Sequence, residues 1–218
     1  MVLSSIVVKV SKQVSDATTV RDREHQPVRP GLALHLFERR AHELAGQLAE
    51  LRDDLVRRGV KPIEPHLAQT DARAAGLVGP HTASLVLTSP PYPGTYDYLF
   101  HHARRYALLG VDTGIADRQE IGARRRMARA GPGAVEDYEQ DMAAAIGRMS
   151  EAVRPGGSIV LLMGDGTLGR HVIRADDLVR RIASRLGLAV AASASQRRPN
   201  WLGGKGSPAR MEHLIELR

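Results

Sequence analysis

The chain has 218 residues, enough for one domain with a sizeable core, and 43% of them are hydrophobic. It has no cysteine, which excludes disulfides, thiolate metal sites and cysteine nucleophiles. The net charge is +7, and no apolar run approaches the roughly 18 residues that a membrane span requires.

The opening MVLSSIVVKVSK has a short apolar patch with no small-residue cleavage site after it. No signal peptide is expected, and a cytoplasmic location is the default. The β-branched run at 4–14 predicts a strand. Residues 15–31 are polar, hold Pro27 and Pro30, and read as loop. Residues 1–31 thus form an N-terminal segment, partly loop, ahead of a main domain at 32–218. From Leu32 to Gly59 the spacing turns helical: Leu36, Leu44, Leu48, Leu51 and Leu55 fall on or near one face, and Gly59 supplies the stop.

HLAQTDAR, 66–73, is a short strand candidate with Asp71 near its end. SLVLTSP, 84–90, is a continuous apolar run of the kind found in a strand buried on both faces. DYLFHHARRYALLG, 97–110, reads as one helix with Asp97 as its cap. Residues 111–134 are rich in Arg and Gly and show no clear period. A helix follows at 134–153, stopped by Arg154-Pro155-Gly156-Gly157. SIVLLMGDG, 158–166, is a second buried strand, and 175–187 is a helix closed by Gly187. Residues 188–196 and 211–218 read as strands with a long polar loop between them. Strands alternating with helices and then a closing strand pair predict an α/β fold.

Five of the eight aromatic residues lie between positions 92 and 106: Tyr92, Tyr96, Tyr98, Phe100 and Tyr106. That clustering suggests a surface that stacks on something flat. Charge clusters too. Residues 101–130 and 196–210 each carry a net +4, as expected of a surface that meets a phosphate backbone. Arg104, Arg105, Arg124, Arg125, Arg126 and Lys205 are the preferred phosphate contacts, with Tyr96 beside them.

The informative stretch is Thr88-Ser89-Pro90-Pro91-Tyr92, at the end of the first apolar strand. In an open parallel sheet, ligands sit at the carboxyl ends of the strands. Each proline fixes its own φ near −65° and keeps the residue before it extended. The result is a stiff corner poor in donors. Its carbonyls and the Ser89 hydroxyl are acceptors suited to an exocyclic amine, and Tyr92 offers a flat face to a base drawn out of its stack.

TSPPY resembles the (Asp/Asn/Ser)-Pro-Pro-(Tyr/Phe) signature of S-adenosylmethionine-dependent amino-methyltransferases acting on DNA. The serine form is most similar to the N4-cytosine group. The resemblance covers roughly residues 64–218 in element order. It implies a class I, Rossmann-like methyltransferase sheet ending in an antiparallel hairpin, with S-adenosyl-L-methionine as cofactor and DNA as partner. Ser89 and the Pro90 carbonyl would hold the target amine, Pro91 would stiffen the corner, and Tyr92 would stack on the base. Asp71 and Thr88 would lie on the cofactor side. Adenine N6, an RNA base, or a non-catalytic nucleic-acid-binding fragment are the alternatives.

The family's Phe-x-Gly-x-Gly cofactor loop has no counterpart before TSPPY. MGDGTLG, 163–169, has G-x-G-x-x-G spacing but is discounted, because too little chain follows it to form a cofactor half. The economical expectation is a chain lacking the N-terminal cofactor-binding part, or one piece of a split enzyme whose second chain supplies that loop. Adjacent His101 and His102 point about 100° apart on a helix and are not expected to share a metal ion. Asp165 is read equally as a harmless strand end or as facing the cleft. Trp201 is read as pinning the closing hairpin's loop.

Overall fold

Hydrophobic spacing and glycine stops shape the helices, seen in a computed structural model that describes residues 2, 5–6, 29–74, 76, 78–114, 119–169, 171–198 and 209–218. Two units divide the chain: Met1–Leu67 with Tyr98–Asp117, and Ala68–Asp97 with Arg118–Arg218. Among the described residues no helix is long and apolar enough to cross a membrane.

The first unit holds α1 (Leu32–Arg57), α2 (Tyr98–His101) and α3 (Ala103–Leu109). Gly59, with φ +65°, ends α1 as expected. The N–H groups of Gly59 and Val60 return to the carbonyls of Val56 and Leu55, satisfying acceptors that a helix end leaves open. The leucine stripe is not a packed seam: Leu36 is buried, but Leu48 and Leu51 are exposed. Spacing decides which residues share a face, and not whether anything covers it. The single helix expected at 97–110 is broken at His102, whose backbone leaves the helical region. Of the strand expected at 4–14, Ser5 and Ile6 are described and helical, and the rest lies outside the described residues. The strand expected at 66–73 does not form either. That stretch finds no ladder partner among the described residues, and Leu67 is 85% exposed.

The second unit is built from β1 (Ala83–Thr88), α4 (Arg124–Ala130), α5 (Ala134–Ala152), β2 (Val153–Gly164), β3 (Gly166–Leu168), β4 (His171–Ile173), α6 (Ala175–Arg185), β5 (Val190–Arg197) and β6 (Met211–Leu217). The main sheet has the order β1-β2-β6-β5, and β3 with β4 makes a small separate ribbon. β1 and β2 are parallel, whereas β6 runs antiparallel to both β2 and β5. The expected α/β class and closing antiparallel pair are therefore present.

One face of this sheet carries the core. On α5, Ala134, Tyr138, Met142 and Ile146 recur every four residues and are buried, as are Leu178, Val179 and Ile182 on α6. They close on Ile159, Leu161, Met163, Ile215 and Leu217. Each such side chain contributes roughly 1.5–3 kcal/mol by leaving water, so this layer holds the unit together. The expectation that β1 is buried on both faces is not met. Strand alternation turns Val86 to the core and Leu85 and Leu87 to the other face, where they are 53% and 70% exposed. An apolar run reports hydrophobicity on both faces, but α5 and α6 cover only one.

Candidate functional site

Thr88 ends β1, and the prolyl corner follows at the carboxyl end of the parallel pair. Ser89 is exposed, Pro90 is buried, and Pro91 and Tyr92 are half-buried. Tyr138 of α5 anchors the corner from below, donating its hydroxyl to the Pro91 carbonyl at 2.7 Å. Burial pushes the Tyr138 phenol far above its ordinary pKa, which keeps it a donor. The Pro91 carbonyl is thus engaged with the protein, while Ser89 faces solvent.

From this corner Tyr92 reaches the closing hairpin. Its hydroxyl donates to Glu212 Oε1 at 2.9 Å, and Gln196 Nε2 donates to Glu212 Oε2 at 3.0 Å. Gly164, Glu212 and Gln196 stand opposite one another across β2, β6 and β5, so Tyr92 lies along a single row of the sheet. The Arg198 guanidinium sits over the ring, 5.2 Å from its centroid. Burial is the main cause that raises the Tyr92 pKa; Ser89 and Arg198 pull it down, and Glu212 adds to the rise. Hydrogen bonds from Tyr92 and Gln196 hold the Glu212 carboxyl below its usual range.

Two glycines make this packing possible. A Cβ on Gly164 would lie 2.6 Å from Tyr92 Cε2 and 2.7 Å from Arg198 Nη1, and one on Gly166 would overlap the Pro93 carbonyl. Gly164 and Gly166 of MGDGTLG therefore admit an aromatic ring and a prolyl loop. Gly169, with φ +60°, sits in the turn between β3 and β4.

Asp165, between the two glycines, is fully buried. It accepts the N–H groups of Ala175 and Met211 at 3.0 and 2.9 Å and the Arg174 guanidinium at 2.7 Å, and it faces His213 Nε2 at 3.2 Å. It thereby ties the end of β2 to the starts of α6 and β6, inside the unit and not in a cleft. Burial works to raise its pKa, but those four partners outweigh burial and hold it below the ordinary value. Asp165, Asp176 and His213 bring three potential ligand atoms within 4.8 Å of one another. Arg174 pairs with Asp165, whose bonds to the Ala175 and Met211 N–H groups brace the unit.

The remaining expected residues divide between the units. Asp71 Oδ1 accepts the Arg73 backbone N–H and Nε, each at 2.9 Å, and Oδ2 accepts Nη2 at 2.6 Å. These bonds depress the Asp71 carboxyl, and Arg73 also reaches Asp141 on α5. Asp97 is a cap, but of α4: its Oδ1 accepts the Arg125 N–H at 2.8 Å, and its Oδ2 is 3.5 and 3.8 Å from the Nε atoms of Arg124 and Arg125. The helix it caps lies far along the chain, beyond any local pattern. The Arg124 N–H also bonds to the Tyr96 carbonyl at 3.1 Å, and the Gly94 N–H to the Gly122 carbonyl at 3.0 Å. Tyr96, Arg124, Arg125 and Arg126 are thus joined to the loop that carries Tyr92. Arg105 belongs to the other unit, where its Nη1 is 2.8 Å from His102 Nδ1. The Arg104 side chain, Lys205 and Trp201 lie outside what is described.

Sequence reasoning missed Glu212 and Gln196. A charged residue in the alternating MEHLIELR looks like an ordinary solvent-facing strand position, and only the hairpin register brings it to Tyr92. Arg198 was seen only as one of a basic group.

No family model matches this chain, and no curated protein does. Solved structures do. A candidate DNA modification methylase from Thermus thermophilus, in complex with S-adenosyl-L-methionine, aligns with a TM-score of 0.42 and 18% identity over 68% of this chain and 52% of that one. The selenomethionine derivative of the same protein gives 0.41 and 19% over 68% and 50%. An S-adenosylmethionine-dependent methyltransferase from Leishmania major gives 0.29 and 13% over 63% and 65%. The chain spans about half the length of the Thermus structures it matches.

Proposed function

We propose that this chain carries the base-binding side of an S-adenosylmethionine-dependent DNA methyltransferase of class I fold that modifies an exocyclic amine, N4 of cytosine. The observation that carries this reading is the corner itself. An exposed Ser89 follows the carboxyl end of a parallel strand pair, and Tyr92 after it has its ring seated on Gly164. An amine lone pair delocalised into a base is a poor nucleophile. Acceptors on the amine hydrogens draw the nitrogen toward sp³ and localise the pair. Ser89 and the Pro90 carbonyl supply those acceptors, and Tyr92 supplies the flat surface for the extruded base. The basic α4, tied to the same loop, positions phosphates through Arg124, Arg125 and Arg126.

S-adenosylmethionine, when bound, supplies an electrophilic methyl group. The described residues do not cradle it by themselves, because Gly164 and Gly166 are filled by Tyr92 and Pro93. The glycine loop is accordingly assigned to a second chain. Thr88 and Asp71 complete the cofactor side from this chain, and Asp71 keeps a lone pair in addition to those taken by Arg73. Calorimetric titration of the chain alone with S-adenosylmethionine should show no micromolar binding; micromolar binding would assign the cradle to this chain.

The decisive experiment measures transfer of radiolabelled methyl groups from S-adenosylmethionine to unmethylated DNA by the assembled protein. Ser89→Ala and Tyr92→Ala should each abolish transfer while largely sparing DNA retention. Transfer untouched by both would refute the assignment. Nucleoside analysis of the product separates N4-methylcytosine from N6-methyladenine.

A further inference from the structure

The Tyr92 ring, read above as the flat surface for an extruded base, is not bare. Arg198 follows β5, and its backbone is fixed there, because its N–H bonds to the Arg210 carbonyl at 2.9 Å. Its side chain sets the guanidinium over the ring, 5.2 Å from the centroid. Gly164 lies against both groups: a Cβ there would stand 2.6 Å from Tyr92 Cε2 and 2.7 Å from Arg198 Nη1. Cation and ring therefore share one recess, left open by a missing side chain. Arg198 Nη1 also points at the Asp165 carbonyl, at 3.5 Å. Both contacts are weak. The second is longer than the roughly 3.2 Å of an effective hydrogen bond, and a cation on a ring that water can still reach gains little.

We propose that Arg198 is a specificity-determining residue: it occupies the Tyr92 ring until a base takes its place, and it then pairs with a phosphate of the strand that delivered the base. The inference rests on the reading of Tyr92 as a base contact and names what the base must displace. A guanidinium is planar and weakly hydrated, so the surface that accepts it also accepts a flat heterocycle. A base stacked on an aromatic side chain is held more strongly than a partly exposed cation, so the exchange runs toward the base. The displaced guanidinium stays tethered by its backbone bond. A nucleic-acid strand offers it phosphates, and a free base does not. Arg198 thus taxes every stack on Tyr92 and refunds the loss only to a base that arrives on a phosphate chain.

The test compares fluorescently labelled oligo(dC) with a single strand of equal length and charge whose sugars carry no bases, by anisotropy. Phosphate contacts are common to both, so the ratio of their dissociation constants isolates what the bases contribute. Arg198→Ala should weaken binding of the base-free strand and lower its salt slope by about 0.7, one phosphate contact on a single strand. The same substitution should raise the oligo(dC) ratio by about 2–5-fold, the scale of an exposed cation–π contact that no longer has to be broken. A residue that only contacted phosphate would leave the ratio unchanged. In a Tyr92→Ala chain, Arg198→Ala should not move the ratio, because no ring remains to uncover. A ratio that stays level or falls on Arg198→Ala overturns the occupancy of the ring by Arg198; if Tyr92→Ala still lowers that ratio, the base-contact reading stands. A salt slope untouched by Arg198→Ala overturns the phosphate pairing. A ratio that Tyr92→Ala leaves unchanged both with and without Arg198 sinks the base-contact reading and this inference together.

Discussion

Adding one methyl group at Gly164 separates the site from the scaffold. The Cβ of Gly164→Ala would stand 2.6 Å from Tyr92 Cε2 and 2.8 Å from Cδ2. Carbon atoms rest about 3.5–4.0 Å apart, so the ring must retreat by roughly 1 Å. Its hydroxyl is 2.9 Å from Glu212, and a retreat of that size takes the bond past the roughly 3.2 Å at which it remains effective. The third close atom, Arg198 Nη1, ends a flexible side chain and can move aside. Overpacking of this kind costs about 1–3 kcal/mol, and the movable neighbours place Gly164→Ala near the lower figure. For a chain of this size that is a fall in Tm of about 2–4 °C. Gly166→Ala is the contrast. Its Cβ would overlap the Pro93 carbonyl, which is backbone and cannot rotate away, so a fall of about 6–12 °C is expected. Neither glycine has a positive φ, so both effects arise from space alone. Thermal unfolding and the methyl-transfer assay on the two variants should give a mild loss of stability with loss of transfer for Gly164→Ala, and a large loss of stability for Gly166→Ala. Equal stability losses, or a Gly164→Ala chain that still transfers methyl groups at the wild-type rate, would refute the reasoning.

Three further outcomes are expected. Asp165 has a depressed carboxyl pKa in the fold, so the unfolded chain takes up its proton first; its stabilisation is present above the ordinary value of 3.8 and is lost as pH falls through the folded value. Asp165→Asn should lower stability at pH 7 by about 3 kcal/mol and flatten the acid limb, read from urea midpoints at pH 7 and at about pH 2, below the ordinary carboxylate value. Tyr138→Phe leaves the Pro91 carbonyl without its partner and should cost about 1–3 kcal/mol in the same assay. Replacing Arg124, Arg125 and Arg126 together by alanine should weaken retention of oligo(dC) and oligo(dT) alike and reduce the salt slope of binding by about 2, from roughly 0.7 per phosphate contact on single strands.

The sequence by itself determined the elements whose signals are local. Every fourth residue from Ala134 to Ile146 is apolar or aromatic, and the chain folds there as α5; Gly187 ends α6; the strands read at 188–196 and 211–218 pair as a hairpin over 190–197 and 211–217. The prolyl corner was legible too, because two prolines constrain backbone whatever surrounds them. What only the tertiary structure decided involves partners far apart in the chain. Tyr92 meets Glu212 across 120 positions, and Asp97 caps a helix across 28. Gly164 and Gly166 have the spacing of a glycine-rich loop, and in the fold a ring and a carbonyl rest on them. Leu85 and Leu87 read as buried from their hydrophobicity, yet they face outward because both helices of the core pack on the opposite side. Periodicity and turn chemistry act over a few residues and are written in order along the chain. Register, covering layers and close approach depend on which distant segments meet, and no local pattern records that.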